Sequence, residues 1–491
     1  MRPDRLLAWL LVGTVVVAPV VGSDTPGSGR WVAEQYLDGP DGTVAPEALS
    51  RGAGAVDGGL GAVDPDRPGR SSTGADNSTA NGSDTDTDTD TGAGDSRAGA
   101  NARSVGLASG SGDVLGTREV HDLGITGQRV RVGVVGESFA VDHGAIDGSV
   151  SAHRRLAPAT PLPASSHDTA VAEVVAETAP DADLYLVAIG RQPTAARYEQ
   201  AVDWLVANDV DVVVDAGSYF PRDPAAAERI TAAAERATAQ GVVFVTSAGN
   251  YARRHWVGAG TTSGWVTVAD TAGENATQAN FLADGRTTGG AVSLRLRWNG
   301  SADYDLYLYR QLRGPDRVVA KSAAEGDRPE SIEVAVPSGR YYVAIHARNG
   351  TPTDRLELYS ARQSLAHGTA GGSVVAPATG DAVIAVGAAT PDGSVAAYSS
   401  RGPSVDVVGP GTLRTRAAGQ FRGSSAAAPF VAGTAALMRS RDASLSPAET
   451  ERILERSVDP GSGTGVDPLA AVRRTGGDEP GLRNESTVVG G

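Results

Sequence analysis

The chain contains no cysteine and only one lysine, Lys321, among its 491 residues. The absence of cysteine excludes disulfides, thiolate-ligated zinc, iron–sulfur clusters and a thiol nucleophile. Any nucleophile in this protein is therefore an oxygen or an amine. The chain is also far longer than one minimal domain, so we expect two or three domains and a large core.

Positive charge is scarce, because 43 Lys and Arg residues stand against 58 Asp and Glu residues, which gives a net charge of −15. A chain this acidic lacks the basic field that attracts nucleic acid or anionic lipid, so nucleic acid is excluded as a partner. Nearly every positive charge is a guanidinium. An Asp-rich, Lys-poor composition suits a protein that stays hydrated in concentrated salt, which predicts a halophilic source.

The amino terminus has the pattern of an export signal. Arg2 and Arg5 precede an apolar run at residues 6–21, and small residues follow it. A membrane anchor is the alternative, but a span needs about 20 apolar residues. We predict a signal peptide at residues 1–22, a secreted or extracellular-surface location and no stable membrane insertion. Residues 23–111 are rich in Gly, Asp and Thr and predict a disordered pro-segment or spacer.

Residues 112–270 and 363–475 read as two parts of one α/β domain. Short apolar strands are predicted at 130–135, 184–189, 210–214, 242–246 and 382–386. Helices are predicted between and after them at 168–178, around 195–205, at 224–240, at 426–439 and at 447–457. Strands that alternate with helices and are apolar on both faces predict a parallel sheet covered by helices on two sides.

Residues 271–362 show a different pattern, in which apolar and polar residues alternate. Val292, Leu294 and Leu296 are one example, and Ile332 and Val334 begin another. This pattern predicts an antiparallel β-sandwich inserted into the α/β domain. The Gly-rich end of the chain, residues 476–491, predicts a flexible tail.

Ser425 is the best candidate for an oxygen nucleophile. It lies in the segment GSSAAAP at residues 423–429, where small residues lead into an apolar helix. A serine at a helix N-terminus meets the positive end of the helix dipole, and its backbone N–H can point at a developing oxyanion. The alternative is an ordinary serine N-cap that only stabilises the helix.

His167 and Asn250 are the candidate base and oxyanion donor. His167 lies in HDTAVA at residues 167–172, also where a loop enters a helix, and the alternative is a surface histidine. Asn250 ends SAGN at residues 247–250, after a strand of the predicted parallel sheet, where such sheets carry ligand-binding residues. The alternative for Asn250 is a turn residue.

These three segments, in this order, resemble the subtilisin-like serine peptidases. The segments YSSRGP at 398–403 and VVGPGT at 407–412 are similar to the lead-up to the nucleophile in that family, and DYDLYLY at 303–309 is similar to a β-sandwich inserted in some of its secreted members. The resemblance covers roughly residues 114–475. It implies a subtilisin-like three-layer fold and hydrolysis of peptide bonds in proteins or peptides.

The resemblance also implies residue roles. Ser425 would attack the carbonyl, His167 would carry the proton and Asn250 would hold the oxyanion. The backbone at Ala216, Gly217 and Ser218 would pair with substrate as an added strand.

The triad acid is where the sequence departs from the family pattern. The family usually has Asp at the end of its first strand, but VGVVGESF at 132–139 offers Gly136 or Glu137 there. We predict Glu137 as the acid, with Asp142, Asp168 and Asp215 as alternatives. We expect Asp168 to point elsewhere, because it is adjacent to His167 in sequence.

Two further expectations concern metals and activity. The resemblance requires no cofactor, and structural calcium is left open: Asp303 and Asp305 alone do not supply the roughly 6 to 8 oxygens of a calcium site. The departure at Glu137 leaves a second hypothesis, a catalytically impaired surface-binding protein with the same fold. The sequence does not indicate the oligomeric state.

Overall fold

The computed structural model describes residues 29–30, 116–156, 164–191, 193–220, 223–269, 276–459 and 465–475. The predicted signal peptide, nearly all of the predicted spacer and the predicted tail lie outside these residues. Within the described residues, every helix is too short or too polar to span a lipid bilayer.

The first part of the chain alternates strands and helices, as its sequence predicts. In chain order the elements are β1 (Gly29–Arg30), α1 (Arg118–Asp122), β2 (Arg131–Gly136), β3 (Val150–Arg155), α2 (Ser166–Thr178), β4 (Asp183–Ala188), α3 (Ala195–Ala207), β5 (Val212–Asp215), β6 (Tyr219–Phe220), α4 (Pro224–Ala239) and β7 (Val243–Ser247).

After the inserted segment, the α/β part resumes and ends the described chain. Its elements are β16 (Ile384–Ala389), β17 (Val407–Pro410), β18 (Thr412–Thr415), β19 (Gly419–Arg422), α5 (Ser424–Arg441), α6 (Pro447–Arg456), β20 (Val458–Asp459), β21 (Gly465–Val466) and α7 (Pro468–Arg474). All of the strands and helices predicted for the α/β part are present, with bounds that shift by a few residues.

Seven strands form a parallel sheet in the order β17-β16-β7-β5-β2-β4-β3. One face is covered by α2 and α5, whose apolar side chains share a cluster with Val132, Val134 and Leu186. The other face is covered by α3 and α4, which pack on Val213 and Phe244. The predicted three-layer arrangement, a parallel sheet with helices on both faces, is confirmed.

Local sequence explains where α4 begins and ends. The Asp223 carboxylate accepts a hydrogen bond from the Ala225 N–H at 3.0 Å, and Pro224 at the first helical position has no N–H to leave unpaired. Gly241 follows the helix with φ +93°, a conformation that favours glycine. The helix therefore stops where the sheet strand β7 has to start.

The inserted segment forms a separate antiparallel sheet of eight strands. They are β8 (His255–Ala259), β9 (Gly264–Trp265), β10 (Asn280–Phe281), β11 (Thr288–Trp298), β12 (Asp303–Gln311), β13 (Arg317–Ser322), β14 (Glu330–Asn349) and β15 (Arg355–Ser360). The sheet begins at β8, earlier than the boundary expected at residue 271. That expectation missed β8 because its sequence lacks the alternation of apolar and polar residues.

The long strand β14 has two sets of neighbours. Its first half, up to Gly339, pairs with β11, and its second half, from Arg340, pairs with β12. Leu294 of β11 and Leu306 of β12 belong to one apolar cluster. The antiparallel sheet is thus observed, whereas its arrangement as a sandwich stays a prediction.

Candidate functional site

The sequence-predicted site residues lie at one edge of the parallel sheet. Strands β7, β5 and β2 are neighbours, and their carboxyl ends are Ser247, Asp215 and Gly136. Because parallel strands end at the same edge, the segments that follow them meet there. The N-termini of α2 and α5, which cover the same face of the sheet, supply His167 and Ser425.

Ser425 lies in the first turn of α5. Gly423 precedes the helix with φ +106°, a conformation that a residue with a side chain rarely adopts, so a sharp turn delivers the chain into the helix. The Ser425 hydroxyl donates a hydrogen bond to the Ala216 carbonyl at 3.1 Å. The candidate nucleophile therefore lies against the segment predicted to bind substrate.

Asn250 is oriented by the same helix end. Its Oδ1 accepts hydrogen bonds from the Ser424 N–H at 3.1 Å and the Ser424 hydroxyl at 3.3 Å. The hydroxyls of Ser247 and Ser424 are 2.6 Å apart. Because the amide is planar, fixing Oδ1 on α5 also fixes the direction of Nδ2. Sequence reasoning missed Ser424, which joins the Asn250 turn to α5.

His167 is paired with its neighbour in sequence. Its Nδ1 lies 2.9 Å from Oδ1 of Asp168, and both side chains are buried, with 5% and 1% exposed. A carboxylate only accepts hydrogen bonds, so Nδ1 carries the proton and Nε2 is the basic nitrogen. The imidazole also packs edge-on against Phe421 of β19, with ring centroids 5.3 Å apart.

Glu137, the acid predicted from sequence, contacts Asp168 through its backbone and Arg191 through its side chain. Its backbone N–H donates to Asp168 Oδ2 at 2.5 Å, and its Oε2 lies 3.6 Å from Nε of Arg191. The expectation that Asp168 points elsewhere is wrong, because the carboxylate turns back to the imidazole and is held there by backbone donors. Two more aspartates are candidates for the acid: Asp142 is exposed, and Asp215 is buried in a separate network.

The hydrogen bonds of Asp215 shape the segment predicted to bind substrate. Its carboxylate accepts hydrogen bonds from the Tyr198 hydroxyl at 2.8 Å, the Gly217 N–H at 2.8 Å and the Tyr219 hydroxyl at 3.2 Å. Ala216 and Ser218 are both buried. The carboxylate thus fixes the turn that contains Ala216, Gly217 and Ser218, a role that the sequence does not reveal.

A second buried carboxylate joins α2, which carries His167, to the hairpin that precedes α5. Glu173 on α2 accepts hydrogen bonds from the backbone N–H groups of Arg416 and Ala417, at 2.6 and 2.9 Å, in the turn between β18 and β19. Further along, Gly433 of α5 lies so close to α2 that a Cβ there would be 2.5 Å from Thr178 Cβ. These contacts set the distance between the two helices.

Of the two carboxylates considered for calcium, Asp305 pairs with side-chain cations, whereas Oδ1 of Asp303 is buried and has no hydrogen-bond partner among the described residues. Asp305 lies 3.0 Å from Nε of Arg348 and 3.3 Å from Nζ of Lys321, so side-chain cations neutralise it. Among the described residues, Asp406, Glu451 and Glu455 bring carboxylate oxygens within 4.8 Å of one another. Burial and the charge of Glu455 raise the pKa of Asp406 to about 6, although the hydrogen bond from the Ala385 N–H acts in the opposite direction. Burial likewise raises the pKa of Glu451 to about 7.

Comparison with known proteins finds one matching family model and several similar folds. The model of the subtilase family matches residues 164–308 and 317–474. Among solved structures, the CspB protease of Clostridium perfringens is 16% identical, with a TM-score of 0.50, over 72% of this chain and 94% of that one. Proteases from Pseudoalteromonas arctica are also 16% identical, with a TM-score of 0.42, over 74% and 94%. No curated protein matches the chain.

Proposed function

We propose, from the premise that this chain belongs to the subtilase family, that it is an exported serine endopeptidase. Ser425 is the nucleophile, His167 the general base and acid, and Asn250 the oxyanion donor. Residues 216–218 bind the substrate backbone. The family implies peptide or protein substrates. Export rests on the amino-terminal pattern at residues 1–22, and the reaction needs no cofactor.

The proposed reaction proceeds in two halves. Ser425 Oγ attacks the peptide carbonyl carbon while Nε2 of His167 takes the hydroxyl proton, and the carbonyl oxygen becomes an oxyanion beside Asn250 and the Ser425 N–H. The carbon–nitrogen bond then breaks, and His167 gives its proton to the leaving amine. A water molecule attacks the acyl ester, its proton passes to Nε2, and the same proton returns to Ser425 as the acid product leaves.

The observation that carries this proposal is the junction at Ser424. The Asn250 carbonyl caps the Ser424 N–H, and the next residue on the same helix is Ser425. An amide whose Oδ1 is held on the helix keeps its Nδ2 in one direction, so the charge developing next to Ser425 meets a fixed dipole. Such preorganised donors are the largest single contribution in many hydrolases.

The hypothesis of a catalytically impaired binding protein is not favoured. It rested on the missing aspartate at the end of the first strand. The short contact between His167 and Asp168 removes that reason, because the imidazole has a carboxylate partner.

The test is labelling with a fluorophosphonate probe in concentrated salt, together with peptide hydrolysis. We expect labelling of the wild-type chain, none of Ser425→Ala, and normal labelling of Ser440→Ala, a matched control at the other end of α5. We expect Asn250→Ala to lower kcat by about 10² to 10³ with little change in KM. Folded wild-type protein that neither reacts with the probe nor cleaves peptides would refute the proposal.

A further inference from the structure

Gly136 ends strand β2, and its backbone does not explain why it is glycine. It is not among the glycines with positive φ, so its conformation is open to any residue. The space around it gives the reason. A Cβ at this position would lie 2.9 Å from both Cβ and Cγ of Asp168, and 2.5 Å from Cζ of Phe139. A side chain on residue 136 and the carboxylate of Asp168 therefore compete for one volume.

The strand end also supplies the donors that hold this carboxylate. Oδ2 of Asp168 accepts the Glu137 N–H at 2.5 Å and lies 3.3 Å from the Ser138 N–H, the two residues that follow Gly136. The other oxygen, Oδ1, faces Nδ1 of His167. One end of the carboxylate is thus tied to β2 and the other to the imidazole, although Asp168 belongs to α2.

We propose that the acid of this site has moved from the strand to the helix. Asp168 is the positioning residue that orients His167 and stabilises its protonated form, and Gly136 is the complementary change that makes room for it. The inference rests on the proposed peptidase function and deepens it. The inference gives Asp168 the role that the sequence predicted for Glu137, whose carboxylate lies 3.6 Å from the Arg191 guanidinium.

The first experiment compares two isosteric amides. We expect Asp168→Asn to lower kcat/KM by about 10⁴, the size of the loss when the acid of a serine peptidase becomes an amide. We expect Glu137→Gln to cost less than about 10-fold, since its role is indirect. The acid limb of the pH profile should shift to lower pH in Asp168→Asn, because removing an adjacent anion lowers the pKa of an imidazole.

The second experiment exchanges the two positions. In Asp168→Gly the acid is lost. The double variant Gly136→Asp/Asp168→Gly returns a carboxylate to the same volume from the strand side, and we expect it to regain at least about 10-fold in kcat/KM over Asp168→Gly. The matched control, Gly136→Ala/Asp168→Gly, requires the same shift of the Phe139 ring without a carboxylate and should regain nothing.

A third measurement does not depend on turnover. The Nδ1 proton shared with a carboxylate gives a far-downfield proton NMR signal, which we expect in Ser425→Ala and in Ser425→Ala/Glu137→Gln. It should be absent from Ser425→Ala/Asp168→Asn. Thermal unfolding shows whether each variant is folded.

The outcomes separate this inference from the function on which it rests. An active wild type in which Glu137→Gln loses about 10⁴ and Asp168→Asn loses little overturns the inference and leaves the peptidase intact. An exchange that recovers no more than its alanine control, in folded protein, also overturns the inference. A wild type without activity or labelling overturns both.

Discussion

Three buried carboxylates of the α/β part and two of the antiparallel sheet have different kinds of partner. In the α/β part, Asp168, Glu173 and Asp215 accept hydrogen bonds from backbone N–H groups, and Asp215 also accepts them from two tyrosine hydroxyls. In the antiparallel sheet, Asp305 and Glu357 face the side chains of arginine and lysine.

The two kinds of partner differ in how much of the negative charge of the carboxylate they leave uncompensated. A guanidinium or an ammonium neutralises the carboxylate, and the pair is then a structural contact. Backbone N–H groups orient a carboxylate and leave its full charge in place, so that it can act on an imidazole or fix a turn. In this molecule the second arrangement occurs beside the proposed catalytic residues.

Removing an acceptor from two backbone donors should have the largest effect on stability. We expect Glu173→Ala to lower the free energy of unfolding by about 3 kcal/mol and to reduce activity, because the Arg416 and Ala417 N–H groups lose their acceptor and the hairpin before Ser425 loosens. Denaturant unfolding measures this loss. A cost below about 1 kcal/mol would show that backbone donors there do not depend on the carboxylate.

A substitution at Asp215 tests whether a carboxylate bound by backbone N–H groups shapes the segment predicted to bind substrate. We expect Asp215→Asn to lower kcat/KM by about 10- to 100-fold, because an amide has one acceptor oxygen for three donors and residues 216–218 shift. Asp211→Asn, the same change at the other end of β5, is the matched control. Equal effects of the two variants on kcat/KM would mean that the Asp215 carboxylate has no special part in shaping the segment.

Asp406, Glu451 and Glu455 form a third group of carboxylates, which lie close to one another. We expect this group to make stability depend on pH. Net pKa values raised to about 6 for Asp406 and about 7 for Glu451 mean that the folded state binds these protons more tightly than the unfolded state. Stability is then greatest below about pH 4 for these groups and falls as pH rises through about 6 to 7.

Partial exposure limits this effect to about 1 kcal/mol per group. We expect Glu451→Gln to flatten the fall between pH 5 and pH 8, measured as the difference from wild type in urea unfolding. If the stability of the variant fell with pH as steeply as that of the wild type, Glu451 would not be a cause of the fall.

The smallest effect is expected in the antiparallel sheet at its surface. Glu333 pairs with Arg295 but is 40% exposed. We expect Glu333→Gln to leave activity unchanged and to lower the free energy of unfolding by about 1 kcal/mol, because Gln keeps a side-chain oxygen for the largely buried Arg295 guanidinium. A loss as large as that of Glu173→Ala would mean that the two kinds of carboxylate do not differ in strength.

The fold was largely predictable from the sequence because its signals are local. Asp223, Pro224 and Gly241 bracket α4, and continuous apolar runs give the central strands. Strand β3 was missed because its residues are mostly exposed and polar, so it lacks an apolar run. Strand β8 was missed because it joins a sheet whose other strands come later in the chain.

For the site, the sequence led to Ser425, His167 and Asn250 as candidate residues, and the structure brings their elements to one edge of the sheet. It offered Asp168 only as an alternative acid that was expected to point elsewhere. Adjacent residues on a helix usually diverge, and nothing in the sequence shows that the volume beside Gly136 is filled from another element. The signal was the glycine itself, at a strand end whose backbone does not require one.

The neighbouring positions of His167 and Asp168 have a consequence for engineering. Imidazole and carboxylate are carried by one short stretch of helix with its own Ser165 cap. A transplanted segment of residues 165–169 would bring both groups into a foreign scaffold in a single step. The host strand would need only a glycine beside the carboxylate and two backbone N–H groups that donate to it.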